Sequence, residues 1–199
     1  MKIVVASSNA GKLAEIQDIL GDEFELVPQT ALGIPDAEET ASTFVENALL
    51  KARHAAQRSG LPALGDDSGL CVDALDGAPG LYSARYSGEH GNSSANIAKL
   101  LDAMRAIPDE NRTAHFHCSI VLLKHANDPA PIIAEGRWRG RILHAPRGER
   151  GFGYDPVFLD TTLNTGAGEL DPSIKNRISH RGQALASLRA QLTPSNDRA

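Results

Sequence analysis

Within its first twenty residues the chain changes hydrophobic period once, and that change narrows the available folds more than any other feature. Lys2 to Ala6 is a short run rich in β-branched residues that stops at Ser7-Ser8-Asn9, after which Leu13, Ile16, Ile19 and Leu20 recur at helical spacing. A strand that hands directly to a helix must lay the helix back on a sheet, so the opening predicts layered α/β structure. Phe24 to Val27 reads as a second strand. Thr43 and Glu46 form a capping box ahead of a helix with Phe44, Ala48, Ala52 and Ala55 on one face. Pro62 to Gly65 reads as a strand ending in Asp66-Asp67-Ser68-Gly69, and Leu70 to Val72 as another. Asn92 or Ser93 caps a helix bearing Ile97, Leu100, Leu101 and Met104.

Thr113 to Lys124 predicts a long strand, with Ala114, Phe116, Cys118, Ile120 and Leu122 on one face and His115, His117 and Ser119 starting the other. Ile132 to Trp138 and Gly140 to Leu143 resemble a returning ribbon, Tyr154 to Leu159 a further strand, and Ala184, Leu185, Leu188 and Leu192 a closing helix. Strands interleaved with helices, then mainly strands, indicate a mixed α/β fold built as one domain over residues 1–199.

A net charge of -5 and a pI near 5.8 argue against binding by broad neutralisation of nucleic-acid phosphates. Phosphate chemistry here must use a few placed cations. Cys71 and Cys118 lie in apolar stretches without metal-binding spacing and read as small buried hydrophobes in a reducing compartment. The N-terminal apolar run is too short for a signal peptide, and no stretch reaches the length of a membrane span. The expected location is the cytoplasm.

Ser7-Ser8-Asn9-Ala10-Gly11-Lys12 delivers a polar turn to a helix N-terminus, where free N–H groups and the helix dipole favour a phosphate and Lys12 adds a charge. The same residues also describe an ordinary N-cap with a solvated lysine. Asp66-Asp67 offers hard oxygen ligands for magnesium, yet Asp, Ser and Gly also favour turns. Glu38 and Glu39 add carboxylates before the helix that carries Glu46 and Lys51; a capping residue and a solvated charge are the alternative there.

Gly151-Phe152-Gly153-Tyr154-Asp155-Pro156 pairs exposed backbone with a ring for base stacking and a carboxylate, or else forms a bulged strand entry. Lys175 with Ile178-Ser179-His180-Arg181-Gly182 puts cations at a helix start, against the dipole, which favours a ligand there. His115 and His117 lack a third metal ligand at sensible spacing. Trp138 between Arg137 and Arg139 suits packing more than base stacking.

In this order, SSNAGK at 7–12, EETASTFVENALLKA at 38–52, DDSGL at 66–70, GAPGLYSARYSG at 77–88, GFGYDPVF at 151–158 and ISHRGQAL at 178–185 resemble the Ham1/RdgB family of inosine triphosphate pyrophosphatases. The resemblance spans nearly the whole chain. It implies an elongated mixed sheet flanked by helices in two lobes around a central nucleotide-binding cleft, a homodimer, and Mg2+-dependent hydrolysis of altered purine triphosphates (ITP, dITP, XTP, dXTP) to monophosphate and pyrophosphate. On the matching positions, Ser7, Ser8, Asn9, Ala10, Gly11 and Lys12 hold phosphates, with Lys51 as a further cation. Asp67 is proton acceptor and metal ligand, Glu39 a metal-site acid, and Ser68 a substrate contact.

Phe152, Gly153, Tyr154, Asp155, Lys175, His180 and Arg181 match nucleotide-binding positions. Ser8 departs from the family's usual glycine. The implied partner is a small-molecule nucleotide, with neither nucleic acid nor membrane. A non-catalytic nucleotide sensor has no use for Asp66, Asp67 and Glu39, and a nucleic-acid binder is disfavoured by the acidic balance.

Overall fold

The opening period change folds as expected. β1 (Lys2–Ala6) runs into α1 (Ala10–Leu20), and Asn9 caps the helix by accepting from the Lys12 backbone N–H at 3.0 Å. The computed structural model describes residues 1–192. After α1 come β2 (Glu25–Pro28), α2 (Phe44–Ser59), β3 (Ala63–Val72), α3 (Ser93–Ala103), β4 (Thr113–Leu123) and β5 (Ile132–Ile142). β6 (Phe158–Asp160), β7 (Thr165–Gly166), α4 (Pro172–Ile178) and α5 (His180–Leu192) complete the chain. The strands are ordered β2-β1-β3-β4-β5-β6-β7, with β1 parallel to β2 and β3, and β6 antiparallel to β5 and β7, so the sheet is mixed. Among the described residues no helix is long and apolar enough to cross a membrane.

The described residues divide into two compact units, one made of residues 1–67, 118–136 and 181–192, the other of 68–117 and 137–180. In the first, alternate strand residues face different helices. Ile3, Val5, Leu64, Cys118, Ile120 and Leu122 pack with Ile16 and Leu20 of α1 and with Ala184, Leu185 and Leu188 of α5. Val4, Ala6 and Ala63 pack on Ala55 and Ala56 of α2, and Val121 and Leu123 on Ala48 and Ala52. Strands covered on both faces lose the polar half of their alternation, which is why β4 is buried at successive positions from Cys118 and reads apolar without a break from Ile120 to Leu123.

The alanine face lets α2 approach β3 closely. A Cβ at Gly65 would lie 2.1 Å from the Ala48 carbonyl oxygen and 2.9 Å from the Ala52 nitrogen, both backbone atoms that cannot swing aside. Gly65→Ala is therefore expected to cost about 2–3 kcal/mol and to lower Tm by roughly 5–10 °C. Thermal unfolding measures it; an unchanged Tm would mean that helix and strand are not in contact there.

The second unit is built around Leu70, Val72, Leu100, Met104, Ala114, Phe116, Trp138, Ile142, Val157 and Phe158. Four sequence expectations need correction. Asp66-Asp67-Ser68-Gly69 does not turn but continues β3 without a break, because partners elsewhere neutralise its carboxylates. The ribbon 132–143 is one strand, β5, whose Trp138 is buried while Arg137 and Arg139 alternate outward. Tyr154 to Val157 is not strand: Asp155–Val157 is a 3-10 turn, formed as Asp155 accepts from the Phe152 N–H at 2.8 Å and as Pro156 withholds a donor. Cys71 is half-buried rather than buried, and both cysteines are free thiols.

Candidate active site

Adjacent residues on a strand point to opposite faces, and β3 uses this to give two neighbouring carboxylates different company. Asp66 is 1% exposed; its Oδ1 accepts from Lys12 Nζ at 2.6 Å and its Oδ2 from Arg181 Nε at 2.8 Å. Arg181, also 1% exposed, donates through Nη1 to Glu15 of α1 as well. The Cys118 thiol donates to Asp66 at 3.3 Å. Asp67 instead meets α2: Lys51 Nζ lies 2.8 Å from Asp67 Oδ1 and 2.9 Å from Glu39 Oε1, so one ammonium joins two carboxylates. Of the two neighbouring glutamates, Glu39 is the one brought to Asp67, while Glu38 is exposed.

These surroundings drive the two carboxyls apart. Burial raises both. At Asp66 the Arg181 guanidinium and the Lys12 ammonium outweigh it and hold the group well below the usual carboxylate range. At Asp67 burial prevails over Lys51 and Lys12, and repulsion from Glu39 adds to it, so the carboxyl lies above its ordinary value. Burial pulls Lys51 down, but Asp67 and Glu39 outweigh it and keep the ammonium charged. A carboxylate held ionised next to a more basic one is an arrangement able to do acid–base chemistry.

The polar turn holds itself in place. Asn9 N–H donates to Ser7 Oγ at 3.2 Å, and Ala10 and Gly11 open α1. Lys12 is an ion-paired group, not a solvated one. The hydroxyl of Ser8 donates to Asp36 Oδ2 at 2.5 Å, and Gln29 Nε2 donates to Asp36 Oδ1 at 2.5 Å, so the residue that departs from glycine is tied to the acidic loop. On α2, Thr43 Oγ1 accepts from the Glu46 N–H and donates to Glu46 Oε2 at 2.7 Å, which makes Glu46 a capping residue.

In the second unit, Ser68 is half-buried on β3 and Phe152 to Asp155 fold around a buried ion pair. Lys175 Nζ of α4 lies 2.5 Å from Asp155 Oδ2 and 4.8 Å from the centre of the Phe152 ring. Gly151 is required here, since its φ is +76° and a Cβ would lie 2.1 Å from Asp155 Oδ2. Gly153 also has positive φ. The Tyr154 hydroxyl donates to the Ser83 carbonyl at 3.0 Å. His180, the first residue of α5, lies flat on Phe116.

Sequence reasoning gave no role to Glu15, to Asp36 of the acidic cluster it shares with Glu38 and Glu39, or to Ser83 within the motif at 77–88. Glu15 carried a signal: it stands four residues before Ile19, a charge at the edge of the apolar arc of α1 that needs a partner once that edge is buried. Asp36 lies in an irregular segment and Ser83 in a short 3-10 helix (Gly80–Arg85), and no local spacing reveals their tertiary partners.

The model of the Ham1 family matches residues 3–191. A dITP/XTP pyrophosphatase of Xanthomonas oryzae pv. oryzae is 59% identical over 191 residues, 96% of each chain. That of Vibrio cholerae is 54% identical over 188 residues, 94% of each. Among solved structures, a HAM1 protein from Coxiella burnetii is 53% identical with a TM-score of 0.89, covering 98% of this chain and 100% of its own. The Staphylococcus aureus Ham1 protein is 39% identical with a TM-score of 0.84, covering 96% of this chain and 98% of its own.

Proposed function

We propose that this chain, which belongs to the Ham1 family, hydrolyses altered purine nucleoside triphosphates (ITP, dITP, XTP, dXTP) to the monophosphate and pyrophosphate with the help of Mg2+. The observation that carries the reading is the Glu39–Lys51–Asp67 triad beside the Lys12–Asp66–Arg181 anchor. Relatives at 54–59% identity over nearly their whole length bear the name dITP/XTP pyrophosphatase, which supports the substrate class.

The donor set fits magnesium held jointly with substrate. Mg2+ is usually bound by one or two carboxylates plus phosphate oxygens and water, and Asp67 and Glu39 supply two. Among the described residues no group of three or more His, Cys, Asp or Glu side chains gathers to cage a metal alone. When bound, the ion neutralises charge on the attacked phosphoryl group and on the leaving pyrophosphate.

Asp67 takes a proton from the attacking water, a task favoured by a carboxyl raised through burial. Lys51 offsets the repulsion that Asp67 and Glu39 would exert on a triphosphate. Lys12 and the turn Ser7 to Gly11 receive phosphate oxygens at the start of α1. Asp66 stays ionised and holds Lys12 in register with that turn. We assign Arg181 to holding Asp66 and leave base contact to Phe152, Lys175 and His180. Cytoplasmic location and a homodimer belong to the same proposal, and light scattering on the purified chain measures the second.

Base selectivity tests the function. A ring stacked on Phe152 admits any purine, so discrimination has to come from edge contacts. Donors at Lys175 and His180 suit the 6-keto oxygen of hypoxanthine or xanthine and leave the 6-amino group of adenine facing a donor. Such a mismatch costs about 1–3 kcal/mol, so kcat/KM for ITP and XTP is expected to exceed that for ATP by roughly tenfold to a hundredfold at fixed Mg2+. Equal values for ITP and ATP would identify a general nucleotide pyrophosphatase instead.

A further inference from the structure

Taking His180 as a base-contacting residue, as proposed above, we infer that Phe116 is a positioning residue for base selection, because it fixes the plane in which the His180 imidazole meets a purine. The second torsion of a histidine side chain is broad, so rotamer preference alone does not set the ring plane. A hydrogen bond from that ring weakens steeply as its angle departs from linearity. Orientation of the ring therefore has to be imposed by its neighbours.

In the second unit a flat aromatic platform imposes it. The Phe116 and His180 rings are 4.7 Å apart at 11°, and Trp138 continues the same orientation at 6.4 Å and 13°. Phe116 is itself confined between Trp138, at 6.1 Å and 24°, and Phe158, tilted at 4.7 Å and 55°. Trp138 cannot rotate freely, since its Nε1 donates to Asp160 Oδ2 at 2.5 Å. Asp160 is pinned in turn by the N–H groups of Thr162 and Leu163, at 2.8 and 2.7 Å. All three platform and imidazole rings are buried. Aliphatic side chains would fill the same volume; the aromatic faces add direction.

The test uses the full chain and compares kcat/KM for ITP and ATP across Phe116→Leu, Phe116→Tyr and His180→Gln. Phe116→Leu is expected to lower the ITP-to-ATP ratio about threefold to tenfold, and Phe116→Tyr, which keeps the ring, to preserve it. Phe116→Met, whose flexible thioether fills the same space, reads the same ratio if the leucine variant does not fold. An equal fall for both substrates, with the ratio unchanged, would mean that Phe116 is only core and would overturn the inference. His180→Gln separates this failure from that of the base assignment. If it collapses the ratio while Phe116→Leu leaves it intact, the base assignment stands and positioning by Phe116 is wrong. If it leaves the ratio intact, both are overturned.

Discussion

Asp67→Asn is expected to lower kcat by about a thousandfold or more at saturating Mg2+ while the protein stays folded. The substitution barely changes volume but removes the proton acceptor and one metal-ligand charge together, and a positioned general base alone is worth roughly 10²–10⁴-fold. Stability is not expected to suffer much. Asp67 is ionised in the fold at some cost, since burial raises its carboxyl, and the Lys51 ammonium keeps Glu39 at 2.9 Å after the change. Before Mg2+ binds, burial holds the Asp67 carboxyl above its ordinary value, so the acid limb of kcat/KM, which reports the free enzyme, is expected above the ordinary carboxylate range, with activity falling as pH drops through it. Near-wild-type kcat in Asp67→Asn would reduce Asp67 to a strand residue with an ion pair.

Arg181→Met is expected to act mainly on the fold. Arg181 joins Glu15 of α1 to Asp66 of β3 from the start of α5, and breaking a buried pair from one side leaves uncompensated charge, typically at a cost of 3–5 kcal/mol. For a chain of this size that corresponds to a fall in Tm of about 10 °C or more. The pH dependence has a definite sign. The folded value of Asp66 is held below its ordinary 3.8 by Arg181 and Lys12 against burial. The stability it contributes is complete above the ordinary value and is lost as pH falls through the depressed one. Arg181→Met weakens that depression, so acid unfolding should begin at higher pH than in the wild type. Circular dichroism against temperature and pH measures both effects; an unchanged Tm would mean that the guanidinium is not buried between carboxylates.

The fold was legible wherever period and capping agreed. The strand–turn–helix opening, the Thr43–Glu46 start of α2 and the long β4 all follow from local spacing. Asp66 to Gly69 was not legible, because four turn-forming residues are held extended only by cations from α1, α2 and α5, far away in sequence. Tyr154 to Val157 failed for the opposite reason: an apolar run was overruled by the local Asp155 to Phe152 bond. At the site, the alternation of a strand already predicts that Asp66 and Asp67 face different partners. What spacing could not supply was their identity: Lys51 with Glu39 for one, Lys12 with Arg181 for the other.

The most direct measurement of the central proposal is to hydrolyse dITP in the presence of Mg2+ and 18O-labelled water and to follow the phosphorus products from the first turnover. Attack by an activated water, with no phospho-enzyme, predicts dIMP and pyrophosphate as the initial products in equal amounts, with the label in one of them. Initial formation of dIDP and orthophosphate would contradict the proposed cleavage position whatever the range of bases accepted.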